Sequence, residues 1–217
     1  MSRTTGTAHG AKKRDYWWTV LVVDPVALPV VRWLARKRLL SPDQVSILSL
    51  AIGVAVGPAF ATATRAGLIA GAVLFYVSFM FDCVDGKLAR ATGVSSSKGE
   101  LLDRLGDGAR RASAGFGLVV YLWRTGEHAD FLWAAAFAIL AAYFMEISGG
   151  AERGEPKGSV ARALARHRLL PNPGMPDVSA LAYVIGPLTT LVVPALWVGT
   201  VLVVIGIARV MLKAVTA

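Results

Sequence analysis

Long apolar segments, separated by short polar ones, follow one another from about residue 44 to the end of the chain. A helix needs about 20 apolar residues to cross a bilayer. The pattern predicts six such helices, and the last two come from one apolar tail that we divide near Val193 and Pro194. The predicted helices cover approximately residues 44–63, 67–90, 99–124, 129–148 and the two halves of the tail, 179–215.

The first 40 residues have a different character. Residues 1–11 are polar, small and without periodicity, which is typical of a flexible tail. Residues 16–38 mix tryptophans, aliphatic residues and basic residues, a composition that favours an amphipathic helix lying on the cytoplasmic membrane surface. Asp24, Pro25 and Pro29 argue against a helix that crosses the membrane. A short soluble amphipathic helix is the alternative.

These patterns together predict an all-α, polytopic membrane protein. Ser41 followed by Pro42 has the form of a helix start, with the serine as cap and the proline in the first turn. We therefore divide the chain into an N-terminal tail with a juxtamembrane helix, residues 1–40, and a six-helix membrane domain, residues 41–217.

Composition and charge support this class. Of the 217 residues, 55% are hydrophobic and the mean hydropathy is +0.55, values typical of an integral membrane protein. The net charge of +9 indicates anionic lipids and anionic substrates as partners, since a nucleic-acid-binding module would be less apolar. With six membrane helices, most basic residues fall in loops on one side, which predicts that both termini face the cytoplasm.

Four carboxylates occur as two close pairs in the second and third predicted helices. Asp82 and Asp85 are three residues apart, and Asp103 and Asp107 are four apart, so each pair lies on one helix face. The Gly- and Ser-rich residues 91–98 between them form a turn that can aim both pairs at one point. Carboxylates that converge near an apolar interior require cations. Hard oxygen ligands favour Mg²⁺.

Eight residues in this region stand at fixed spacings, Asp-x2-Asp-Gly-x2-Ala-Arg-x8-Gly-x3-Asp-x3-Asp: Asp82, Asp85, Gly86, Ala89, Arg90, Gly99, Asp103 and Asp107. This pattern resembles the signature of the CDP-alcohol phosphotransferases, also called CDP-alcohol phosphatidyltransferases, which are integral membrane enzymes. The hydropathy of the whole chain is also similar to that family. Members open their first membrane helix with Ser/Thr-Pro-Asn, where this chain has Asp43. We interpret that element only as a helix cap.

The resemblance implies the activity and the roles of the aspartates. We expect transfer of a phosphoalcohol group, in particular phosphatidyl, from a CDP-alcohol such as CDP-diacylglycerol to the hydroxyl of a polar alcohol, with release of CMP, in phospholipid biosynthesis. Asp82, Asp85 and Asp103 would hold one Mg²⁺ ion, and Asp82, Asp103 and Asp107 a second, with Mn²⁺ as a possible substitute. Asp107 would also act as the catalytic base. The family further implies a homodimer.

The donor and acceptor sites follow from the same resemblance and from charge. Residues expected to bind the cytidine diphosphate are Asp82, Gly86, Ala89, Arg90 and Gly99. Basic residues give a candidate wall for an anionic acceptor: Arg110, Arg153, Lys157 and Arg162. Ordinary membrane anchoring is an alternative role for the loop residues in that wall. Family members that use inositol phosphate tend to have Lys-x-Arg-Ala-Glu after the fourth helix, and residues 148–152 lack those basic residues.

Two other functions remain open from the sequence. In the first, a small CDP-alcohol is the donor and a lipid alcohol is the acceptor. The other is transport of a divalent cation, because carboxylates inside membrane helices also mark ion pathways. The aspartates gather at one membrane face and the outer halves of their helices lack polar residues, which favours the transferase.

Overall fold

The structure, a computed structural model, describes residues 10–94, 96–126, 129–148 and 158–216. These residues are helical apart from short connections, and their only extended pairing is an isolated parallel bridge between Asp15 and Leu169. The all-α class is therefore confirmed. The helices are α1 (Asp24–Lys37, preceded by a π-helical turn, Thr19–Val23), α2 (Pro42–Ala61), α3 (Arg65–Thr92), α4 (Ser97–Thr125), α5 (Asp130–Ser148), α6 (Ser159–Arg166), α7 (Met175–Ala180), α8 (Gly186–Thr189) and α9 (Val192–Thr216).

Local sequence signals set the ends of the helices that carry the aspartates. Ser41 caps α2 as predicted: its hydroxyl accepts a hydrogen bond from the Gln44 amide. The Gln44 side chain accepts one from the Ser41 amide, which completes a capping box. Gly93 ends α3 in the left-handed conformation, with φ of 72°. Ser96 then caps α4 by accepting a hydrogen bond from the Gly99 amide at 2.9 Å. The predicted turn between the two aspartate helices is confirmed.

Four of the described helices, α2, α3, α5 and α9, are long and apolar enough to cross a membrane. The protein is accordingly an integral membrane protein, as predicted. Helix α4 has 29 residues but carries many charges in its first half, including two of the aspartates, so it does not meet the same apolar criterion. The count of six membrane helices stays a prediction.

The predicted division of the C-terminal tail was misplaced by a few residues. The break lies at Thr190, which has a left-handed φ of 64°, and α9 starts at Val192. Pro194 falls inside the first turn of α9, where a backbone N–H has no partner within the helix, so proline is tolerated there. Before the break, α7 continues through a π-helical turn, Leu181–Ile185, into the short α8.

Helix α2 lies between α3 and α4 and packs closely against both, whereas α3 and α4 contact each other much less. The approach of α2 to α4 depends on glycine, because a Cβ added at Gly117 would lie 2.6 Å from the Cα of Gly57. Ser113 links the same two helices by donating to the Val54 carbonyl at 2.7 Å and accepting from the Gly57 amide at 2.9 Å. Helix α2 thus sets the distance between α3 and α4, the two helices that carry the aspartates.

Substitution of Gly117 by Ala is expected to destabilise the protein by about 1–3 kcal/mol, because the added methyl group overlaps the α2 backbone, which cannot rotate away. Gly108→Ala on the same helix is the matched control, since no atom lies within 4 Å of its added Cβ. That control should leave stability unchanged or raise it by about 0.5–1 kcal/mol. Thermal unfolding in detergent, followed by tryptophan fluorescence, compares them. Equal transition temperatures would contradict this account of the α2–α4 contact.

The N-terminal region packs against α3. Helix α1 buries Ala27, Val31 and Leu34 on one face, and these residues form a hydrophobic cluster with Val84 and Leu88 of α3. The contact brings α1 against the aspartate-bearing end of α3. The location of α1 at the membrane surface stays a prediction.

Candidate active site

A cavity of about 1100 Å³ lies between the aspartate-bearing ends of α3 and α4. All eight residues of the spacing pattern line it, five from α3 and three from α4: Asp82, Asp85, Gly86, Ala89, Arg90, Gly99, Asp103 and Asp107. The two helix segments are separate in sequence, and the turn between them folds both onto the same space.

The carboxylates have different partners within this cavity. Asp85 is buried and accepts a hydrogen bond of 2.5 Å from the Ser46 hydroxyl on α2. Asp107 forms ion pairs with Arg110 and, at 3.1 Å, with Arg111. Asp82 lies 3.6 Å from the Arg110 guanidinium. A protein cation therefore stands between one carboxylate of α3 and one of α4.

Arg110 is the most deeply placed cation of the site. Its side chain is 1% exposed, and its guanidinium also donates to the Ser78 hydroxyl at 3.2 Å. The guanidinium lies over the ring of Phe79, 5.3 Å from its centroid, a favourable cation–π distance. We expected Arg110 in the acceptor wall. Here it lines the cavity but is engaged with Asp82 and Asp107.

The donor set of the cavity fits a hard divalent cation. Four carboxylates line one enclosure, where their mutual repulsion requires positive charge, and carboxylate oxygen is the ligand type that Mg²⁺ and Mn²⁺ prefer. Across the described residues, no three acidic, histidine or cysteine side chains already converge on one point. Arg110 supplies part of the compensating charge between Asp82 and Asp107, which a divalent ion would supply more strongly.

Arg90, Gly86 and Gly99 line another part of the cavity. The Arg90 Nε donates to the Gly10 carbonyl at 2.7 Å, and a Cβ added at Gly86 would lie 3.4 Å from one terminal nitrogen of Arg90. The guanidinium thus lies along bare backbone. Next to Gly99 is the Asp43 carboxylate, whose oxygen would be 3.3 Å from an added Cβ. Glycine leaves room at both places for a bulky phosphate or sugar to approach.

Of the other predicted acceptor residues, only Arg162 lies in the described part of the chain, and it does not line the cavity. Arg162 is exposed on α6, donates to the Gly158 carbonyl at 3.2 Å, and is not among the lining residues. The sequence suggested Arg162 because it belongs to a run of basic residues, but a charge pattern does not show how far a side chain lies from the cavity. Arg153 and Lys157 lie outside the described residues, as does most of the 148–152 segment.

Several cavity residues were not predicted as site residues. They come from the N-terminal segment, the start of α2 and the end of α9, and include Lys12, Asp15, Asp43, Arg209 and Lys213. The family resemblance held a signal for Asp43, because the corresponding Asn position opens the first membrane helix. In the sequence, Arg209 and Lys213 are only two of the basic residues that the charge pattern assigns to one side of the membrane. Nothing in the unpatterned N-terminus pointed to Lys12.

The family model for CDP-alcohol phosphatidyltransferases matches residues 39–214. The chain belongs to this family. It is therefore a CDP-alcohol phosphotransferase, as the spacing pattern indicated. No curated protein sequence matches the chain significantly.

Solved structures of phosphatidylinositol phosphate synthase (PgsA1) from Mycobacterium tuberculosis have a similar fold. The complex with manganese and citrate is 22% identical, with a TM-score of 0.57 over 86% of this chain and 87% of that one. The complex with CDP-DAG is 20% identical, with a TM-score of 0.57 over 86% and 92%. At these identities the likeness establishes the fold that this phosphotransferase shares with them, and its substrates have to be argued from its own site.

Proposed function

We propose that the protein catalyses metal-dependent transfer of a phosphatidyl group from CDP-diacylglycerol to the hydroxyl of a polar alcohol, with release of CMP. The observation that carries this proposal is the convergence of all eight signature residues on one cavity. Transfer from a CDP-alcohol requires a place for a diphosphate, a place for a second alcohol and a proton acceptor, and this cavity is large enough for a nucleotide with part of a second substrate.

In the proposed reaction, the acceptor hydroxyl attacks the phosphorus that carries the diacylglycerol. A new P–O bond forms to the acceptor, the P–O bond to the bridging oxygen breaks, and CMP leaves with the bonding electron pair. Asp107 is assigned as the catalytic base that accepts the proton of the attacking hydroxyl. Arg110 and Arg111 hold its carboxylate in place through their ion pairs.

Asp82, Asp85, Asp103 and Asp107 are the residues that would hold two divalent ions. Bound there, the ions would neutralise charge that develops on the diphosphate oxygens. Arg90 is assigned to the donor phosphates, with Gly86, Ala89 and Gly99 leaving the backbone open for the nucleotide. The manganese and CDP-DAG found in the mycobacterial enzyme support these assignments by analogy of fold.

A lipid donor is supported by the composition of the cavity walls. Besides the charged groups, Phe144 and Met145 of α5 and Val210 of α9 line the cavity. An apolar wall of this kind suits an acyl chain or glycerol backbone better than a small polar alcohol. The same α5 and α9 helices are among those apolar enough to cross the membrane, so a lipid can approach from the bilayer.

The acceptor is proposed only as a polar alcohol, with or without a phosphate. The segment where inositol-phosphate-using members tend to carry basic residues lacks them in this chain. Arg209 and Lys213 at the end of α9 line the cavity, and we assign them to an anionic acceptor in place of Arg162. The positive-inside pattern supports a cytoplasmic location for the cavity and both termini, where CMP would be released, and the family resemblance supports a homodimer.

The experiment is CMP release by the purified protein from CDP-diacylglycerol across a panel of polar alcohols and their phosphates. A parallel panel uses small CDP-alcohols with diacylglycerol as acceptor. Release with CDP-diacylglycerol and one polar acceptor supports the proposal. Release only with a small CDP-alcohol would reverse the donor and acceptor assignment, and release with neither set would contradict the proposed reaction.

Removal of divalent ions is expected to abolish CMP release. Chelation with EDTA should reduce the rate to background, and added Mg²⁺ or Mn²⁺ should restore it, because the four carboxylates cannot gather a diphosphate without cations. Ca²⁺ at the same concentration is the control for ionic strength. Full activity after exhaustive chelation, with metal content checked by mass spectrometry, would contradict the assignment of the aspartates.

A further inference from the structure

The N-terminal strap (residues 10–16) forms one wall of the active-site cavity. Gly10, Lys12, Asp15 and Tyr16 are among the lining residues. The strap precedes the part of the chain that the family match covers, which begins at residue 39.

Backbone contacts fix the strap at both ends. At one end, the Gly10 carbonyl accepts from Arg90, and the Gly10 φ of 74° lets its backbone lie directly on α3, where a Cβ would come within 2.2 Å of the Lys87 carbonyl oxygen. At the other end, the Asp15 amide donates to the Arg168 carbonyl at 2.8 Å, and the Leu170 amide donates to the Asp15 carbonyl at 3.1 Å. The strap is held to both the aspartate helix and the loop before α7.

Lys12 lies in the middle of the strap. Its carbonyl accepts hydrogen bonds from the Arg168 guanidinium at 3.2 and 3.3 Å, which fixes the backbone, while its side chain lines the cavity. Asp103 lines the same cavity as Lys12. Lys13, the next residue, is exposed and does not line the cavity.

We propose that Lys12 binds a phosphate group of a substrate in this cavity, an inference that rests on the proposed function. The lysine ammonium group attracts phosphate as a point charge. Because the backbone of the strap is already fixed at both ends, binding costs less conformational entropy. The carboxylates assigned to the metal ions line the same cavity as Lys12, so this residue borders the space where an anionic substrate has to gather. The phosphate belongs either to the donor diphosphate or to a phosphorylated acceptor.

The test compares Lys12→Gln with Lys13→Gln as the matched control and with Lys12→Arg, which keeps the charge. Two quantities are measured on the full chain in detergent: the Kd of CDP in the presence of Mn²⁺, by calorimetry, and the KM of each substrate. Lys12→Gln should weaken CDP binding about tenfold if the donor phosphate is the ligand, or raise the acceptor KM about tenfold with CDP binding unchanged if the acceptor phosphate is. Lys13→Gln should change neither, and Lys12→Arg should retain most of the affinity.

Two outcomes would overturn the inference, and they are distinguishable. If the wild-type protein binds CDP and releases CMP while Lys12→Gln stays within about twofold of Lys13→Gln in every constant, Lys12 binds no phosphate and the proposed function stands. If the wild-type protein neither binds CDP nor releases CMP, the proposed function fails and the role of Lys12 fails with it.

Discussion

Replacement of Asp107 by Asn is expected to lower the rate of CMP release by about 10²–10⁴-fold, the usual contribution of a general base. The amide keeps the size of the side chain but cannot take the hydroxyl proton, and it offers the metal a weaker ligand. In this structure Asp107 also pairs with Arg110 and Arg111, so the variant leaves Arg110 with Asp82 as its remaining ion-pair partner. The measurement is kcat with saturating donor and acceptor.

Glu100→Gln is the matched control for Asp107→Asn. Glu100 lines the same cavity on the same helix but stands outside the spacing pattern. The control should retain kcat within about threefold, because an exposed side chain without a catalytic role contributes little. Thermal unfolding of both variants separates loss of catalysis from loss of fold. If Asp107→Asn unfolds like the wild type and keeps its kcat, Asp107 is not the base.

Replacement of Asp24 by Asn is expected to destabilise the protein by about 3–5 kcal/mol, the loss typical of breaking a buried ion pair on one side. Asp24 on α1 lies 3.1 Å from the Lys87 ammonium of α3, and both side chains are 3% exposed. The second Asp24 oxygen lies 2.9 Å from Arg168. The variant would leave Lys87 charged and buried without a countercharge. Thermal or denaturant unfolding in detergent measures the loss.

The Asp24 contacts are ionic rather than well-formed hydrogen bonds, because neither carboxylate oxygen has a hydrogen-bond partner of good geometry. The double variant Asp24→Leu with Lys87→Met removes both charges and should recover much of the stability lost by Asp24→Asn. Glu100→Gln, an exposed carboxylate, again serves as the control and should leave stability unchanged. A loss in Asp24→Asn no larger than in this control would contradict the buried ion pair.

The sequence predicted the parts of the site that depend on spacing within helices. A separation of three or four positions places the aspartates of each pair on one helix face, and the turn after Gly93 folds the two faces together. The presence of Asp82, Asp85, Asp103 and Asp107 in one cavity therefore followed from local rules. Helix ends followed from capping signals for the same reason. These features need only neighbours along the chain, which the sequence displays directly.

Contacts between distant segments could not be predicted in the same way. Asp24 and Lys87 pair across α1 and α3, and the strap reaches the cavity through backbone hydrogen bonds that carry no side-chain signature. The run of basic residues around Arg162 suggested an acceptor site, because a sequence shows the charge of a residue but not its distance from the cavity. Two features were missed most clearly. They are the position of Arg110 between Asp82 and Asp107 and the presence of Lys12 in the cavity, and both depend on contacts between segments distant in sequence.

The central claim is that the signature residues form a joint metal and CDP site between α3 and α4. A structure determined with bound CDP and Mn²⁺, with the metal located by its anomalous scattering, tests it most directly. We expect manganese among Asp82, Asp85, Asp103 and Asp107, and the CDP phosphates beside Arg90. Manganese or CDP bound away from these carboxylates would contradict the claim.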